Sequence, residues 1–193
     1  PMCGSGTIPL EAALMARKIA PGQSRSFGFE RLIIHDPKRW GHLREASRLK
    51  QLAEVPAAIY ASDQDPAAVK IAQRTFQGAG VGIDIRLRQS DVLDLEAPAE
   101  QGVIVINPPY GVRLSRPEEL DAFYPKLGDW LKQRFSGWRA YIFTGDLRVP
   151  KLIGLAPSKR IPLFNGPLEC RLYEFQILSG SMRKTIAQPD STE

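Results

Sequence analysis

Four consecutive β-branched residues, Val103 to Ile106, followed directly by Asn107-Pro108-Pro109, constrain this chain more than any other feature. Branching at Cβ favours extended backbone, and a run that is apolar at every position is typical of a parallel strand buried on both faces. Two consecutive prolines then exclude both helix and sheet pairing. The sequence therefore predicts a central parallel strand that ends abruptly at Asn107.

Strand-like and helix-like segments alternate along the rest of the chain, and this order predicts the fold class. Apolar residues at helical spacing indicate helices, and short β-branched or alternating runs indicate strands. Asn165-Gly166 between two extended segments predicts an antiparallel hairpin. The order as a whole predicts an α/β fold with a doubly wound, mostly parallel, Rossmann-like sheet and an antiparallel C-terminal strand. The predicted helices cover residues 8–19, 42–52, 66–77, 118–135 and 146–152, and the predicted strands cover residues 57–62, 83–87, 103–106, 139–143, 160–163 and 172–178.

Length and composition indicate one globular domain. A chain of 193 residues is long enough to bury a core without disulfides or metal ions. The apolar share of 43% and the charged share of 24% exclude a disordered or fibrous chain. No apolar stretch approaches the roughly 20 residues of a membrane helix, and no secretory signal is visible, so a cytoplasmic location is expected. We expect the domain to cover residues 1–180 and a frayed tail to cover residues 181–193.

The spacing of cysteine and histidine gives no sign of a metal centre or a disulfide framework. Cys3 and Cys170 are the only cysteines, and neither lies in a Cys-x-x-Cys pattern. His35 and His42 are seven residues apart, as on one helix face, but Pro37 breaks any helix between them. Reduced thiols and no bound metal are therefore expected.

The chain opens directly on a glycine turn, Pro1 to Thr7, with helix-forming sequence behind it and no strand ahead of it. A turn of this kind follows a supporting strand in α/β folds. The expectation is therefore that these residues are the C-terminal part of a longer polypeptide whose first strand lies just upstream.

Residues that terminate strands form the candidate site, because ligands of doubly wound sheets bind outside the carboxyl ends of the strands. They are the turn Cys3 to Gly6, Asp63, Asp91 and Asn107. Glycine lets the backbone approach a ligand closely, and the helix N-terminus behind the turn offers free N–H groups. A plain strand-to-helix connection explains the same turn equally well, and Asp91 can simply cap a turn.

Two missing fingerprints narrow the class of ligand. The dinucleotide pattern requires a third glycine where Pro9 stands, and the chain has no Gly-Lys-Ser/Thr of the Walker kind. Asp63 is placed to accept both hydroxyls of a ribose, and Asp91 to accept from an exocyclic amine such as that of adenine. Asp65, followed by Pro66, is explained as a helix cap. The remaining pattern is a nucleoside site without a phosphate clamp, as S-adenosylmethionine requires.

Asn107-Pro108-Pro109-Tyr110 is the most specific motif in the chain. An exocyclic amine of a nucleobase is a poor nucleophile because its lone pair is delocalised into the ring. Two oxygen acceptors, on the Asn107 amide and the Pro108 carbonyl, can direct that lone pair at a methyl group and stabilise the charge that develops on nitrogen. Tyr110 offers a face on which an extruded base can stack, worth roughly 1–3 kcal/mol. The motif predicts methyl transfer to a nucleobase amine.

These motifs resemble those of the class I S-adenosylmethionine-dependent methyltransferases that modify amino groups through an Asp/Asn-Pro-Pro-Tyr motif. Within that class they are similar to the bacterial 23S rRNA guanine-N2 methyltransferase group, whose members carry an upstream RNA-binding THUMP domain. The resemblance covers nearly the whole chain, and the segments that carry it are residues 2–7, 19–30, 62–66, 107–113 and 164–171.

The resemblance implies S-adenosylmethionine as cofactor, RNA as partner with help from the THUMP domain, and no membrane partner. The implied catalytic residues are Asn107, Pro108, Pro109 and Tyr110. The implied substrate contacts are Tyr110 and Arg113, although a surface ion pair explains Arg113 equally well. The implied cofactor contacts are Cys3, Gly4, Ser5, Gly6, Thr7, Asp63, Gln64, Asp91, Val92 and Asn107.

Other functions are compatible with part of this pattern. A DNA adenine-N6 methyltransferase uses the same motif, but no separate domain for reading DNA is visible. Protein glutamine methylation is a further alternative, and a noncatalytic RNA-binding module is another, against which the intact motif argues.

The insertion over residues 24–52 is either an RNA-contacting surface or a packing cover. It holds Arg25, Arg31, Lys38, Arg39, Arg44 and Arg48 beside Phe27, Phe29 and Trp40. With a net charge of +5 and no THUMP domain, these 193 residues are expected to bind RNA weakly on their own.

Overall fold

A computed structural model describes residues 1–108 and 117–178. The described chain divides into two compact units, residues 1–95 with 105–108 and residues 96–104 with 117–178. The predictions for Pro109, Tyr110, Arg113 and the tail 181–193 lie outside the described residues. No helix in the described ranges is long and apolar enough to cross a membrane.

Helices and strands alternate in the predicted order. The five α-helices of the described residues are α1 (Thr7–Ala16), α2 (Pro37–Arg48), α3 (Pro66–Gly78), α4 (Pro117–Arg134) and α5 (Val149–Ile153). The six strands of the same residues are β1 (Ile59–Asp63), β2 (Ile85–Gln89), β3 (Val103–Ile106), β4 (Arg139–Thr144), β5 (Lys159–Asn165) and β6 (Leu168–Gln176).

The first unit is built on β1 and β2, which pair in parallel with Ile59 opposite Ile85 and Asp63 opposite Gln89. Helices α1 and α3 pack against this pair. The core between them holds Phe76, which is 2% exposed, with small and branched side chains around it. Its buried members are Ala13, Ala61, Ala72, Phe76, Val81 and Ile85.

Helix α1 ends at Ala16, three residues before the predicted end at Ile19. Lys18 takes a left-handed conformation with φ of 55°. Its N–H bonds to the Met15 carbonyl at 3.0 Å, and the Ile19 N–H bonds to the Leu14 carbonyl at 2.8 Å. These bonds satisfy carbonyls that the helix would otherwise leave open.

Helix α2 begins at Pro37, five residues before the predicted start at His42. The Asp36 carboxylate accepts the N–H of Lys38 and of Arg39, each at 3.0 Å. Proline at the first helical position is pre-organised for the helix. The helix therefore starts at the Asp-Pro pair, and His35 lies outside it, so His35 and His42 do not share one helix, as predicted.

A buried ion pair explains why β2 begins at Ile85, two residues later than predicted. Asp84 is held in a turn by its N–H bond to the Val81 carbonyl at 3.1 Å. Its carboxylate lies 3.2 Å from the Arg17 guanidinium, and its side chain is 4% exposed. The turn cannot extend into the strand without breaking this pair.

A four-stranded sheet has the order β3-β4-β6-β5. Strands β4, β5 and β6 and the first two residues of β3 belong to the second unit. β6 runs antiparallel to β4 on one side and to β5 on the other. The predicted antiparallel C-terminal strand is thus confirmed. The hairpin turn is one residue later than predicted, because Asn165 pairs with Leu168 and Gly166, at φ of 60°, begins the loop with Pro167.

Helix α4 packs closely on α5. A Cβ added at Gly128 would lie 2.0 Å from the Ile153 carbonyl oxygen, so only glycine permits this approach. Helix α5 begins at Val149, three residues after the predicted start. The Asp146 carboxylate accepts the Arg148 N–H at 2.9 Å just ahead of it.

Strand β3 has the predicted bounds, but its two faces differ. Ile104 and Ile106 are buried, whereas Val103 is 59% and Val105 is 38% exposed. In the described residues β3 stands at the edge of its sheet. The prediction that both faces are buried is therefore wrong in this structure, because a run of branched apolar residues does not by itself show what covers each face.

A carboxylate is buried inside the second unit. Glu174 of β6 accepts the Tyr141 hydroxyl at 2.7 Å and the Ser158 hydroxyl at 2.9 Å, and the Lys159 ammonium lies 3.5 Å away. The hydrogen bond from Tyr141, followed by that from Ser158, lowers the pKa of Glu174. Glu174 thus stays ionised in the folded protein to a lower pH than it does in the unfolded chain.

We expect Tyr141→Phe to lower the Tm by a few degrees at pH 7. The pKa of Glu174 in the folded protein lies below its unfolded value of about 4.3. The stabilisation by the hydrogen bond from Tyr141 to ionised Glu174 is therefore present above that pH and is lost as the pH falls through the folded pKa. The Tm difference from the parent should therefore shrink as pH falls below about 4. Thermal melts from pH 7 to pH 3 measure it.

Tyr173→Phe is the matched control, since Tyr173 is also buried and the described hydroxyl donors to the Glu174 carboxylate are those of Tyr141 and Ser158. A Tm difference for Tyr141→Phe that is the same at every pH would contradict the assignment.

Candidate functional site

A glycine turn leads into α1 at one end of the first unit. Gly4 and Gly6 have φ of 55° and 83°. The Gly6 N–H bonds to the Cys3 carbonyl at 2.9 Å, and Gly6 is the N-cap residue of α1 with no side-chain cap. The turn therefore combines close backbone approach with first-turn amides that no side chain covers.

Asp63, the last residue of β1, fastens this turn to the sheet. Its Oδ2 accepts the Gly4 N–H at 2.8 Å, and its Oδ1 accepts the Asp65 N–H at 3.0 Å. The Cys3 N–H bonds to the Ser62 carbonyl at 2.9 Å in the same place. Each carboxylate oxygen has about two acceptor directions, so each can take one further donor.

The end of β2 lies beside the end of β1. The Ser90 N–H bonds to the Asp63 carbonyl at 3.0 Å, and the Gln89 side-chain amide donates to the Gln64 carbonyl at 3.2 Å. Asp63 and Asp91 therefore follow neighbouring parallel strands, and backbone bonds join the two loops.

Asp91 is exposed, and its Oδ1 accepts the Leu93 N–H at 2.9 Å. It thereby caps the 3-10 turn Val92–Asp94, in which Val92 is buried. Its Oδ2 has no hydrogen-bond partner within residues 1–108 and 117–178. The turn-capping role and a ligand-accepting role are therefore compatible in one carboxylate.

Cys3 lies half-buried beside Asp63. Burial, reinforced by the Asp63 charge, raises the pKa of the Cys3 thiol. The thiol therefore stays protonated near neutral pH and forms a neutral wall of the site rather than a nucleophile.

Asn107 directly follows β3. It is exposed between two buried residues, Ile106 and Pro108. Residues 105–108 belong to the same compact unit as the glycine turn. No hydrogen bond in the described part of the chain joins Asn107 to the other predicted site residues.

The structure thus brings together the turn around Gly4, the end of β1 and the end of β2. Ser5 and Thr7 lie in the turn with their hydroxyls 3.2 Å apart. No group of three or more potential ligands for a metal ion occurs among the described residues.

Sequence reasoning missed two features of this site. One is the hydrogen bond from the Gly4 N–H to the Asp63 carboxylate, which links residues 59 positions apart. The other is the approach of Gly6 to Phe76, where an added Cβ would lie 2.6 Å from the ring. No local pattern signals either contact, because both join distant parts of the chain.

The fold and the strand-end site together define a class I, Rossmann-like methyltransferase domain. The crystal structure of SMU.472 complexed with SAH matches with a TM-score of 0.87 and 30% identity, over 94% of this chain and 48% of that one. A chain from Listeria monocytogenes, described as a predicted N6-adenine-specific DNA methylase, matches with a TM-score of 0.81 and 33% identity, over 91% of this chain and 45% of that one.

Residues 1–174 match the family described as UPF0020, RMKL-like methyltransferase domain, and the chain belongs to this family. A relative from Shewanella baltica strain OS185 is named Ribosomal RNA large subunit methyltransferase K/L. It is 38% identical over 198 residues, which cover 100% of this chain and 28% of the relative. The chain thus spans about a quarter of that relative and about half of each solved chain.

We expect Gly6→Ala to destabilise the protein by roughly 3 kcal/mol, because the new methyl group meets the Phe76 ring and the left-handed backbone disfavours any Cβ. Gly4→Ala is the matched control. Its φ is also positive, but nothing lies within 4 Å of the added Cβ. It should lose only about 1 kcal/mol.

Urea unfolding of both variants measures the difference. Equal losses for the two glycines would contradict the close approach of Gly6 to α3.

Proposed function

We propose that the protein transfers a methyl group from S-adenosylmethionine to an exocyclic amine of a nucleobase in RNA. The observation that carries this proposal is Asn107, exposed directly after β3 between two buried residues. An amide held in this way on a rigid support is a positioned acceptor that costs little reorganisation during reaction. The target that we propose is guanine N2 in 23S rRNA.

The glycine turn and the two aspartates would hold the cofactor. Asp63 uses one direction of each oxygen on the Gly4 and Asp65 amides, so the other can accept the two ribose hydroxyls. Asp91 would accept from the adenine amine through Oδ2. Cys3, Ser5, Gly6, Thr7, Gln64 and Val92 would complete the pocket. The SAH in the SMU.472 crystal structure supports this class of ligand.

The Asn107 loop would activate the target amine. The Asn107 side-chain oxygen and the Pro108 carbonyl accept its two hydrogens, so the nitrogen lone pair turns toward the methyl group. Bound S-adenosylmethionine would supply the methyl group from its positively charged sulfur, and water would take the proton that the methylated amine then loses. Pro109 and Tyr110 would hold the base, and Arg113 would contact RNA.

Ribosomal RNA is favoured over DNA as the substrate by the Shewanella relative, whose name specifies the RNA of the large ribosomal subunit. Guanine is favoured over adenine by the resemblance of the sequence motifs to the guanine-N2 methyltransferase group. The description of the Listeria chain names adenine in DNA instead, so an experiment must separate the two. We further propose that a THUMP domain upstream assists RNA binding, and that the reaction takes place in the cytoplasm, where ribosomal RNA is assembled.

Nucleoside mass spectrometry tests the proposal directly. The full-length protein is incubated with transcribed 23S rRNA and S-adenosylmethionine carrying a labelled methyl group, with duplex DNA in a parallel reaction. N2-methylguanosine from the RNA is the expected product. N6-methyladenine from either polymer would overturn the choice of guanine, and no labelled nucleoside at all would overturn the activity.

Asn107→Ala should lower turnover by about 10²-fold, in the range seen when a positioned acceptor or donor is lost, with little change in cofactor affinity. Asn107→Asp keeps two acceptor oxygens at the same place and should retain most of the activity. Single-turnover methyl transfer and calorimetric titration with S-adenosylhomocysteine measure the two effects. If Asp and Ala lose activity equally, Asn107 does not act as an acceptor.

A further inference from the structure

Positive charge is concentrated in one segment of the chain, residues 24–52. Seven of the 26 lysines and arginines lie there, but only three of the 21 acidic residues. The segment therefore carries four of the five net positive charges, and the remainder of the chain is close to neutral. The positive electrostatic potential near residues 24–52 is therefore higher than the modest net charge of the whole chain suggests.

None of the three acidic side chains of the segment, Glu30, Asp36 and Glu45, forms a salt bridge in the described part of the chain. The Glu30 carboxylate accepts the Phe27 N–H at 2.8 Å, and Asp36 caps α2. Within the described ranges, none of the seven basic side chains forms a salt bridge. Their charge is therefore available to an external anion.

The segment folds on an aromatic cluster rather than on the core. Phe29 and Trp40 meet edge to face with centroids 5.0 Å apart, and the Arg25 guanidinium lies 4.3 Å above the Phe27 ring. Trp40 and Arg44 are half-buried on one side of α2, and Arg44 donates to the Gln23 carbonyl at 3.1 Å. No residue from 24 to 52 is buried.

Helix α2 consequently presents its cations to solvent. Lys38, Arg39 and Arg48 are exposed. Lys38 and Arg39 lie away from the positions of Trp40 and Arg44 around the helix, and Arg48 lies one turn beyond Arg44 in the last turn of the helix. A helix with no buried residue contributes little to folding free energy, so its basic face points to a binding role rather than to a cover for the core.

An apolar tip precedes α2. Leu32, Ile33 and Ile34 are 54%, 104% and 89% exposed. Leaving an isoleucine in water rather than burying it forgoes about 1.5–3 kcal/mol. Apolar side chains beside cations are used by nucleic-acid-binding proteins to contact bases, while the cations hold phosphates.

The segment is fastened to the far end of α1. The Leu52 N–H bonds to the Arg17 carbonyl at 2.9 Å, and the Arg17 guanidinium donates to the Leu52 carbonyl at 3.0 Å. Helix α1 starts at the glycine turn and has 10 residues. The attachment point between Leu52 and Arg17 therefore lies about 15 Å along the helix from the candidate site. A few nucleotides of RNA cover such a distance.

We infer that residues 24–52 form an RNA-docking surface, in which Lys38, Arg39 and Arg48 hold phosphates and the tip Leu32 to Ile34 contacts unstacked bases. The inference rests on the proposed function, since it assigns part of the RNA contact of the same enzyme to this surface. The charge of the segment, its lack of ion pairs and its exposed apolar tip together fit a polyanion that carries flat apolar groups.

The salt dependence of RNA binding tests the cationic part. Fluorescence anisotropy titrations measure the affinity for a labelled single-stranded RNA at several salt concentrations. They compare the parent with a triple variant that combines Lys38→Gln, Arg39→Gln and Arg48→Gln. Each phosphate contact on a single strand contributes about 0.7 to the slope of log affinity against log salt concentration, so the loss of three contacts should reduce that slope by about 2. Between about 50 and 200 mM salt, the affinity of the parent should therefore fall about 20-fold more than the affinity of the variant.

A matched control removes the same charge elsewhere. Lys70, Arg74 and Lys126 are exposed and form no salt bridge in the described chain. Their combined change to Gln should leave the slope close to that of the parent. Equal slope changes in the two triple variants, or none in either, would overturn the docking surface. Circular dichroism checks that α2 remains folded.

Ile33→Ser with Ile34→Ser tests the apolar tip. Affinity for the RNA should fall about tenfold with no change in the salt slope, because no phosphate contact is lost. Unchanged affinity would overturn the assignment of the tip to RNA and leave it to a protein partner.

Methyl transfer separates this inference from the proposed function. If the parent methylates RNA but the first triple variant binds it with the parent's slope, the docking surface is wrong and the enzyme assignment stands. If the slope falls as expected but no methyl group is transferred, the proposed function fails and the RNA contact stands.

Discussion

The carboxylate of Asp63 is the constraint on which the candidate site depends. It holds the amide of Gly4 at 2.8 Å and that of Asp65 at 3.0 Å, so one side chain fixes the glycine turn and the start of α3 relative to β1. Its backbone carbonyl also receives the Ser90 N–H. Three loops therefore converge on one residue, and the position of any ligand there follows from the end of a single strand.

The packing around this residue makes the arrangement rigid. Gly6 approaches Phe76 so closely that no side chain can stand in its place, which presses the start of α1 against α3. At the other end of α1, Arg17 pairs with the buried Asp84 and also binds Leu52. Helix α1 is thus fixed at both ends, and a site built on its first turn needs little reorganisation to receive a ligand.

The segment 24–52 is stabilised differently from the rest of its unit. It contributes no buried residue, and its stability comes from an aromatic cluster and a capped helix. Its cations repel one another, and a polyanion that neutralises them relieves this repulsion. The unit therefore combines a tightly packed framework around the candidate site with an exposed basic segment that adds no residue to the core.

Local chemistry by itself determined the order of the strands and helices, the Asp65-Pro66 start of α3, the bounds of β3 and the family, because caps, prolines and β-branching act within a few residues. The same local logic failed at α1, which ends early through a left-handed Lys18, and at the start of α2, which lies at Pro37 rather than at His42. Which face of β3 is covered, which amides Asp63 holds and how closely Gly6 meets Phe76 were decided only by tertiary structure. Those contacts join residues far apart in the chain, and no local sequence pattern records a distance between them.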